Sequence, residues 1–307
     1  MKKYLILAAI LTISSGLMAQ NTEKKTTSSN TPADSLLNSL SSDDKSAPVV
    51  IFKSSRMVLS QSSETVKKNN LNFLIIHRFG DFAGKDGGGQ TYFGLDDVSD
   101  VYIGFEYGIT DNLNIDIGRT TIGGLADLEL KYALLHQTTN GGSPLAITLI
   151  GEGGLRPYGD YPTFDDRMSY FAQAIFARKF SDEISLQIAP SYTRDNLPIP
   201  DVAGNQQQFI SLSGTARIRL SNHMGFIIDY AHPFSSYRTS SNGFHDPLGF
   251  GLEMETGGHV FTINITNARA VDEINYLSNT QSTYSKGQYR LGFTISRMFQ
   301  TKHKKED

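Results

Sequence analysis

The chain has 307 residues, of which 39% are hydrophobic and none is cysteine, with a formal net charge of −3. Without cysteine there is no disulfide, thiolate metal site, cysteine nucleophile or lipobox anchor. Mild acidity with no long basic tract gives no support to nucleic-acid binding. No second long apolar run follows the N-terminus, which excludes a helical membrane protein.

Lys2 and Lys3, the apolar run Tyr4 to Ile13 and the closing Leu17-Met18-Ala19 read as an export signal over residues 1–19. Its removal takes away two lysines and no acid, so the remaining chain is more acidic. Residues 20–47 are a polar leader with too few apolar groups to offset its ordering entropy. Within it, Thr31-Pro32 ahead of Leu36, Leu37 and Leu40 could start a short helix, with Thr31 as cap. Residues 48–68 are a pre-barrel segment, with Val49-Val50-Ile51-Phe52 followed by Lys53-Ser54-Ser55-Arg56. An extra strand and a segment tucked against the barrel mouth both fit it.

From Asn69 to Phe299 the apolar residues recur with period two, the signature of strands with one apolar face. Ile103, Phe105 and Tyr107 alternate with Tyr102, Gly104 and Glu106; Leu128, Leu130 and Tyr132 alternate with Asp127, Glu129 and Lys131. Twelve strands are predicted, near 70–79, 98–109, 112–120, 125–136, 144–153, 167–180, 183–193, 206–220, 223–233, 246–256, 259–267 and 286–299. Most match the roughly 9–11 residues that a tilted strand needs to cross the hydrocarbon layer. They exceed the roughly 5–6 residues of an ordinary globular strand. A charged tail follows at 300–307.

The links alternate in length. Thr110-Asp111-Asn112, the Thr139 to Gly142 region, Ser181-Asp182, Ser221-Asn222 and Gly257-Gly258 are tight-turn sequences. Gly80 to Asp97, Pro233 to Asp246 and Asn267 to Ser285 are long, and Thr121 to Ala126 is a short exception. Short periplasmic turns alternating with longer external loops is the outer-membrane arrangement, and an even strand count returns both chain ends to the periplasm. In that frame Tyr107, Phe180 and Phe299 fall near the periplasmic rim, and Tyr170, Tyr192, Tyr230 and Tyr289 near the outer rim, as interfacial girdles require. The expected fold is all-β, a closed antiparallel up-and-down transmembrane barrel of about twelve strands in a bacterial outer membrane.

Phe52-Lys53-Ser54-Ser55-Arg56, Glu64-Thr65, Phe73 and His77-Arg78-Phe79-Gly80 carry a likeness. Tyr92-Phe93-Gly94-Leu95-Asp96, Glu106 to Asp111, Ile117-Gly118-Arg119 and Leu130-Lys131-Tyr132 continue it. Over roughly residues 48–299 the chain resembles an exported β-barrel family known as a domain of unknown function, similar to bacterial outer-membrane barrels. The resemblance implies the fold and brings no activity or binding residue with it.

If the apolar face meets lipid, the lumen receives Glu106, Asp116, Asp127, Glu129, Lys131, Arg217, Arg219, Asp229, Glu253, Glu255 and Arg290. Two readings stay open. One is a narrow channel whose charges select small polar solutes. The other is a filled, non-conducting barrel with a structural or surface-interaction role, since twelve strands lie between barrels filled by side chains and water-filled porins. The partners expected are outer-membrane lipid, the barrel-assembly machinery that the fold implies and, for a channel, a small polar solute. No cofactor is expected. The seven histidines show no ligand spacing, and Asp96, Asp97 and Asp100 read as solvated loop acids before a calcium site. Gly80 to Gly89 lacks the Gly-Lys-Ser/Thr of a phosphate cradle. No Ser and His constellation stands out, so an enzyme, with lipid-modifying chemistry as its one candidate, is not expected.

Overall fold

The computed structural model describes residues 47–139, 142–197 and 207–301. The export signal, the leader before residue 47 with its short helix start, and the tail beyond 301 lie outside the described residues. Twelve strands are present among those described: β1 (Asn70–Phe79), β2 (Val98–Gly108), β3 (Leu113–Thr120), β4 (Ala126–Leu135), β5 (Ala146–Leu155), β6 (Met168–Lys179), β7 (Ile184–Asp195), β8 (Gln208–Arg219), β9 (Met224–Phe234), β10 (Leu248–Thr256), β11 (His259–Thr266) and β12 (Arg290–Gln300). Each pairs antiparallel with its sequence neighbour, and β1 closes on β12 from Asn70↔Gln300 to Arg78↔Gly292. Closure leaves no row of unpaired amides, which is what allows strands to sit in hydrocarbon.

The period-two pattern sorts the wall into two faces. In β3, Ile117 is 58% exposed on the outside and Asp116 only 4% exposed on the inside. Ile103, Phe105, Leu128, Leu130, Ile188 and Ile263 share the exposed outer face. A continuous apolar belt of that kind is unfavourable in water at roughly 25 cal/mol per Å² and favourable against acyl chains. Tyr170, Tyr192, Tyr230, Phe180 and Phe299 are exposed on the same outer face.

β12 begins at Arg290, four residues later than the sequence pattern suggests. Tyr284–Lys286 form a single 3₁₀ turn and Gly287 has φ 72°, so the chain is still turning where alternation had already begun.

The larger difference lies inside. Residues 47–68 are neither an added strand nor a segment at the mouth; they form a hairpin finger that fills the lumen. It starts at the short-turn rim, where Pro48 bridges Thr138 and the Val49 amide donates to the Gln137 carbonyl at 2.7 Å. The tip turns over Met57–Ser60, closed by Met57 N–H to Ser60 O at 2.9 Å and Ser62 N–H to Ser55 O at 2.8 Å. It then returns to the same rim, where the Thr65 hydroxyl donates to the Asp111 carbonyl at 2.8 Å. Asn69, with φ 61°, makes the reversal into β1, a conformation that asparagine tolerates better than most residues.

From the opposite rim the link between β11 and β12 folds inward, where a long external loop was expected. Its helix α1 (Glu273–Asn279) is capped by Asp272, whose carboxylate accepts the Asn275 amide at 2.9 Å. Ile274, Tyr276 and Leu277 join Phe52, Met57, Val58 and Leu59 of the finger in one core with the inward Ile150, Phe171, Ile175 and Ile227 of the wall. The few large apolar residues on the inner face are there to meet these two inserts.

Candidate functional site: the occupied lumen

On one side of the barrel the strand register lines up four acids at one level. Glu106 of β2 faces Asp116 of β3, Asp116 faces Glu129 of β4, and Glu129 faces Glu152 of β5. Asp127 lies inward next to them, and all five are buried. Like charges directly across a ladder repel, so the row depends on what is placed against it. Lys131 lies two residues along β4 from Glu129, also inward. The Ser55 hydroxyl donates to Glu106 at 2.6 Å, the Asn72 amide donates to Glu106 at 2.7 Å, and the Gln61 amide donates to Glu129. Three of these counterweights, including Arg56 described below, come from the finger.

The rest of the finger is seated by similar contacts. Asp229 of β9 accepts the Leu59 amide at 2.8 Å, the Ser60 amide at 3.1 Å and the Ser60 hydroxyl at 2.7 Å. Lys131 reaches the Ser55 carbonyl at 3.3 Å, and Arg78 reaches the Val58 carbonyl at 2.9 Å. Glycines make room for the tip: a Cβ on Gly249 or Gly251 would come within 2.6 Å of a Val58 methyl.

Finger and loop meet at Arg56. Its guanidinium is 2.8 Å from Glu273 of α1 and 3.7 Å from Glu129, and lies 5.1 Å from the centre of the Tyr102 ring. The Tyr102 hydroxyl donates in turn to Asp127 at 3.1 Å. Taking such charges out of water costs several kcal/mol each, so the pair persists only because partners surround it. In the loop, burial pushes the Asp272 carboxyl up to about 7 and raises that of Glu273, with Arg56 opposing the latter. In the finger, burial raises Glu64, against amide donation from Ile51 at 2.9 Å and Phe52 at 3.2 Å.

The structure places the sequence candidates unevenly. Glu106, Asp116, Asp127, Glu129 and Lys131 share one side of the lumen on β2 to β4, and Asp229 meets the finger separately, from β9. Arg217 and Glu253 pair with each other at 2.7 Å, and Arg290 pairs with Asp81 near the long-loop rim. Arg219 and Glu255 stand at the short-turn mouth, half-exposed, with Glu255 2.8 Å from Lys53. Asp100 is no solvated loop acid. It lies buried in β2 and accepts from Thr120, Thr121, Ile122 and Val271. Arg56, Tyr102, Glu152 and Glu273 were not among the candidates. Glu152 sits between glycines, so its strand offers no apolar alternation to mark it, and Arg56 and Glu273 lie outside the strands.

Three solved outer-membrane proteins resemble the chain. The NanC porin has 10% identity and a TM-score of 0.47, covering 74% of this chain and 98% of its own. The KdgM porin has 5% identity and a TM-score of 0.44 over 75% and 98%. The COG4313 outer membrane channel from Pseudomonas putida F1 has 11% identity and a TM-score of 0.49 over 79% and 100%. No curated protein matches the chain. The family model described as "Membrane bound beta barrel domain (DUF5777)" matches residues 52–299, the finger from Phe52 onward included, and it is to this family of membrane barrels that the chain belongs.

Proposed function

We propose that this barrel stands in a bacterial outer membrane as a gated channel for small polar solutes, closed in the conformation described here and opened when the finger withdraws. The short turns then face the periplasm, and the finger enters from that side. The observation that carries this reading is a charged wall behind a separable segment. A lumen filled for good is held as well or better by apolar side chains, because buried ion pairs are often less stabilising than hydrophobic packing. A wall that keeps Glu106, Asp116, Glu129, Lys131 and Asp229 suits one that meets water during its working cycle.

The finger can be locked. The chain has no cysteine of its own, and Val58 Cγ1 lies 2.6 Å from the position of a Cβ on Gly249, within reach of one disulfide. In planar bilayers the double variant Val58→Cys with Gly249→Cys is expected to be silent when oxidised and to show channel openings after reduction. Silence under both conditions, in this variant and in the unmodified protein, would sink the channel reading in favour of a non-conducting barrel. That second reading draws on the filled lumen and the external loop Gly80 to Asp97.

A further inference from the structure

Of the finger's basic side chains, Lys53, Lys67 and Lys68 remain exposed at the short-turn rim, and Arg56 alone is carried into the interior. It enters a cage that is not of the finger's making. Tyr102, Asp127 and Glu129 belong to the wall, and Glu273 to the inward loop. The cage offers more than Arg56 uses: one oxygen each of Asp127, Glu129 and Glu273 has no hydrogen-bond partner, and neither has Arg56 Nε. When the finger leaves, these groups remain, together with Asp116 and Glu152 of the acidic row.

We propose that this cage is a cation subsite on the solute path, taking the guanidinium or primary ammonium group of a small polar solute, and that Arg56 is its tethered occupant in the closed state. The assignment rests on the channel reading and names its solute class. An aromatic face beside carboxylates attracts an organic cation, with the ring and the carboxylates acting together. Among the described residues no group of three acids or histidines is arranged to hold a metal ion, which separates this site from a divalent-cation site. The charge arithmetic agrees. Withdrawing Arg56 leaves the row from Glu106 to Glu152, with Asp127, facing Lys131 as the wall's nearby cation, and a cationic solute restores what the finger removed.

The test is chemical rescue. Arg56→Ala leaves a vacancy shaped like N-ethylguanidinium, whose neutral counterpart of similar shape is ethylurea. For the purified variant in detergent, millimolar N-ethylguanidinium is expected to recover most of the Tm lost to the substitution. Ethylurea should recover none of it, and the unmodified protein, its cage already filled, should not shift. Adding Glu129→Gln to the variant should remove most of the rescue. If Arg56→Ala does not fold unaided, its refolding yield from urea with each compound replaces Tm as the readout. Equal rescue by ethylurea, or none by the cation, overturns the subsite. Conductance of the reduced cysteine variant without rescue overturns the subsite and leaves the channel standing. Rescue without conductance reduces the cage to an anchor for the finger and overturns the solute assignment along with the channel.

Discussion

The finger and the inward loop fill the same lumen, yet they are attached in different ways. The loop leaves β11 and returns to β12, so it is tied to the wall at both ends, and α1 packs its Ile274 and Leu277 into the apolar core. Among the described residues the finger runs on into a strand only at Asn69, where it enters β1; its other limb is held at the same rim by backbone contacts of Ala47–Val49 with Gln137–Thr139 and has no strand beyond it. A segment held at one end can leave as a unit. A segment held at both ends can only rearrange. The contrast teaches that occupation of a lumen is not one condition: on the channel reading proposed above, the loop acts as permanent filling, and the finger as a stopper.

The contrast can be broken most decisively by removal. Deleting residues 48–66 should turn a silent barrel into one with steady conductance in planar bilayers, whereas trimming the loop should lower stability before it opens a path. A reversed pattern would exchange the two roles. Next in size, Arg56→Ala should cost about 3–5 kcal/mol in denaturant titrations, because it strands Glu273 and Glu129 in the interior. Glu273→Gln should cost less, since Glu129 and Asp127 still face the guanidinium. Ile274→Ala should cost about 2–5 kcal/mol through the cavity it leaves, with no gain in conductance. Openings in that variant would show that the loop gates as well.

The smallest expected effect is on a slope. Burial raises the Asp272 carboxyl from its ordinary 3.8 to about 7, so between these values the folded state holds a proton that the unfolded state has released. Its contribution to stability is full below about pH 4, declines as pH rises towards 7, and levels off above. Asp272→Asn keeps a helix-capping side chain and should flatten the fall of Tm across that window. An unchanged slope would place the pH dependence on Glu273 or Glu64.

The strands were legible because lipid on one side and polar groups on the other impose a strict alternation, visible in Leu113, Ile115 and Ile117 against Asn114 and Asp116. The inner lining followed from the same parity, which is why Glu106, Glu129 and Asp229 could be named without coordinates. The inserts obey no such parity. Val49 to Phe52 is an apolar run too short to carry a period, and the finger's place is decided by distant partners such as Asp229 and Arg78, which hold its tip at Val58 to Ser60. In the loop, Asp272 followed by Asn275, with Ile274 and Leu277 spaced for one helical face, was a usable signal for a capped turn. Nothing local says which way that turn folds. Arg56 sits in a serine-rich run and gains its role only where two elements far apart in the chain converge.

The seam between β1 and β12 has a consequence for biogenesis. Its register, from Asn70↔Gln300 to Arg78↔Gly292, joins residues more than two hundred positions apart, and contacts of such high order form late. The hairpin leads directly into the first of these strands, so Asn69 has to set its reversal while the last ladder zips, whether the hairpin enters before closure or afterwards through the rim it uses in the working cycle. Sequence changes near Asn69 would then be felt first as slow or mis-ordered assembly, ahead of any change in the finished molecule.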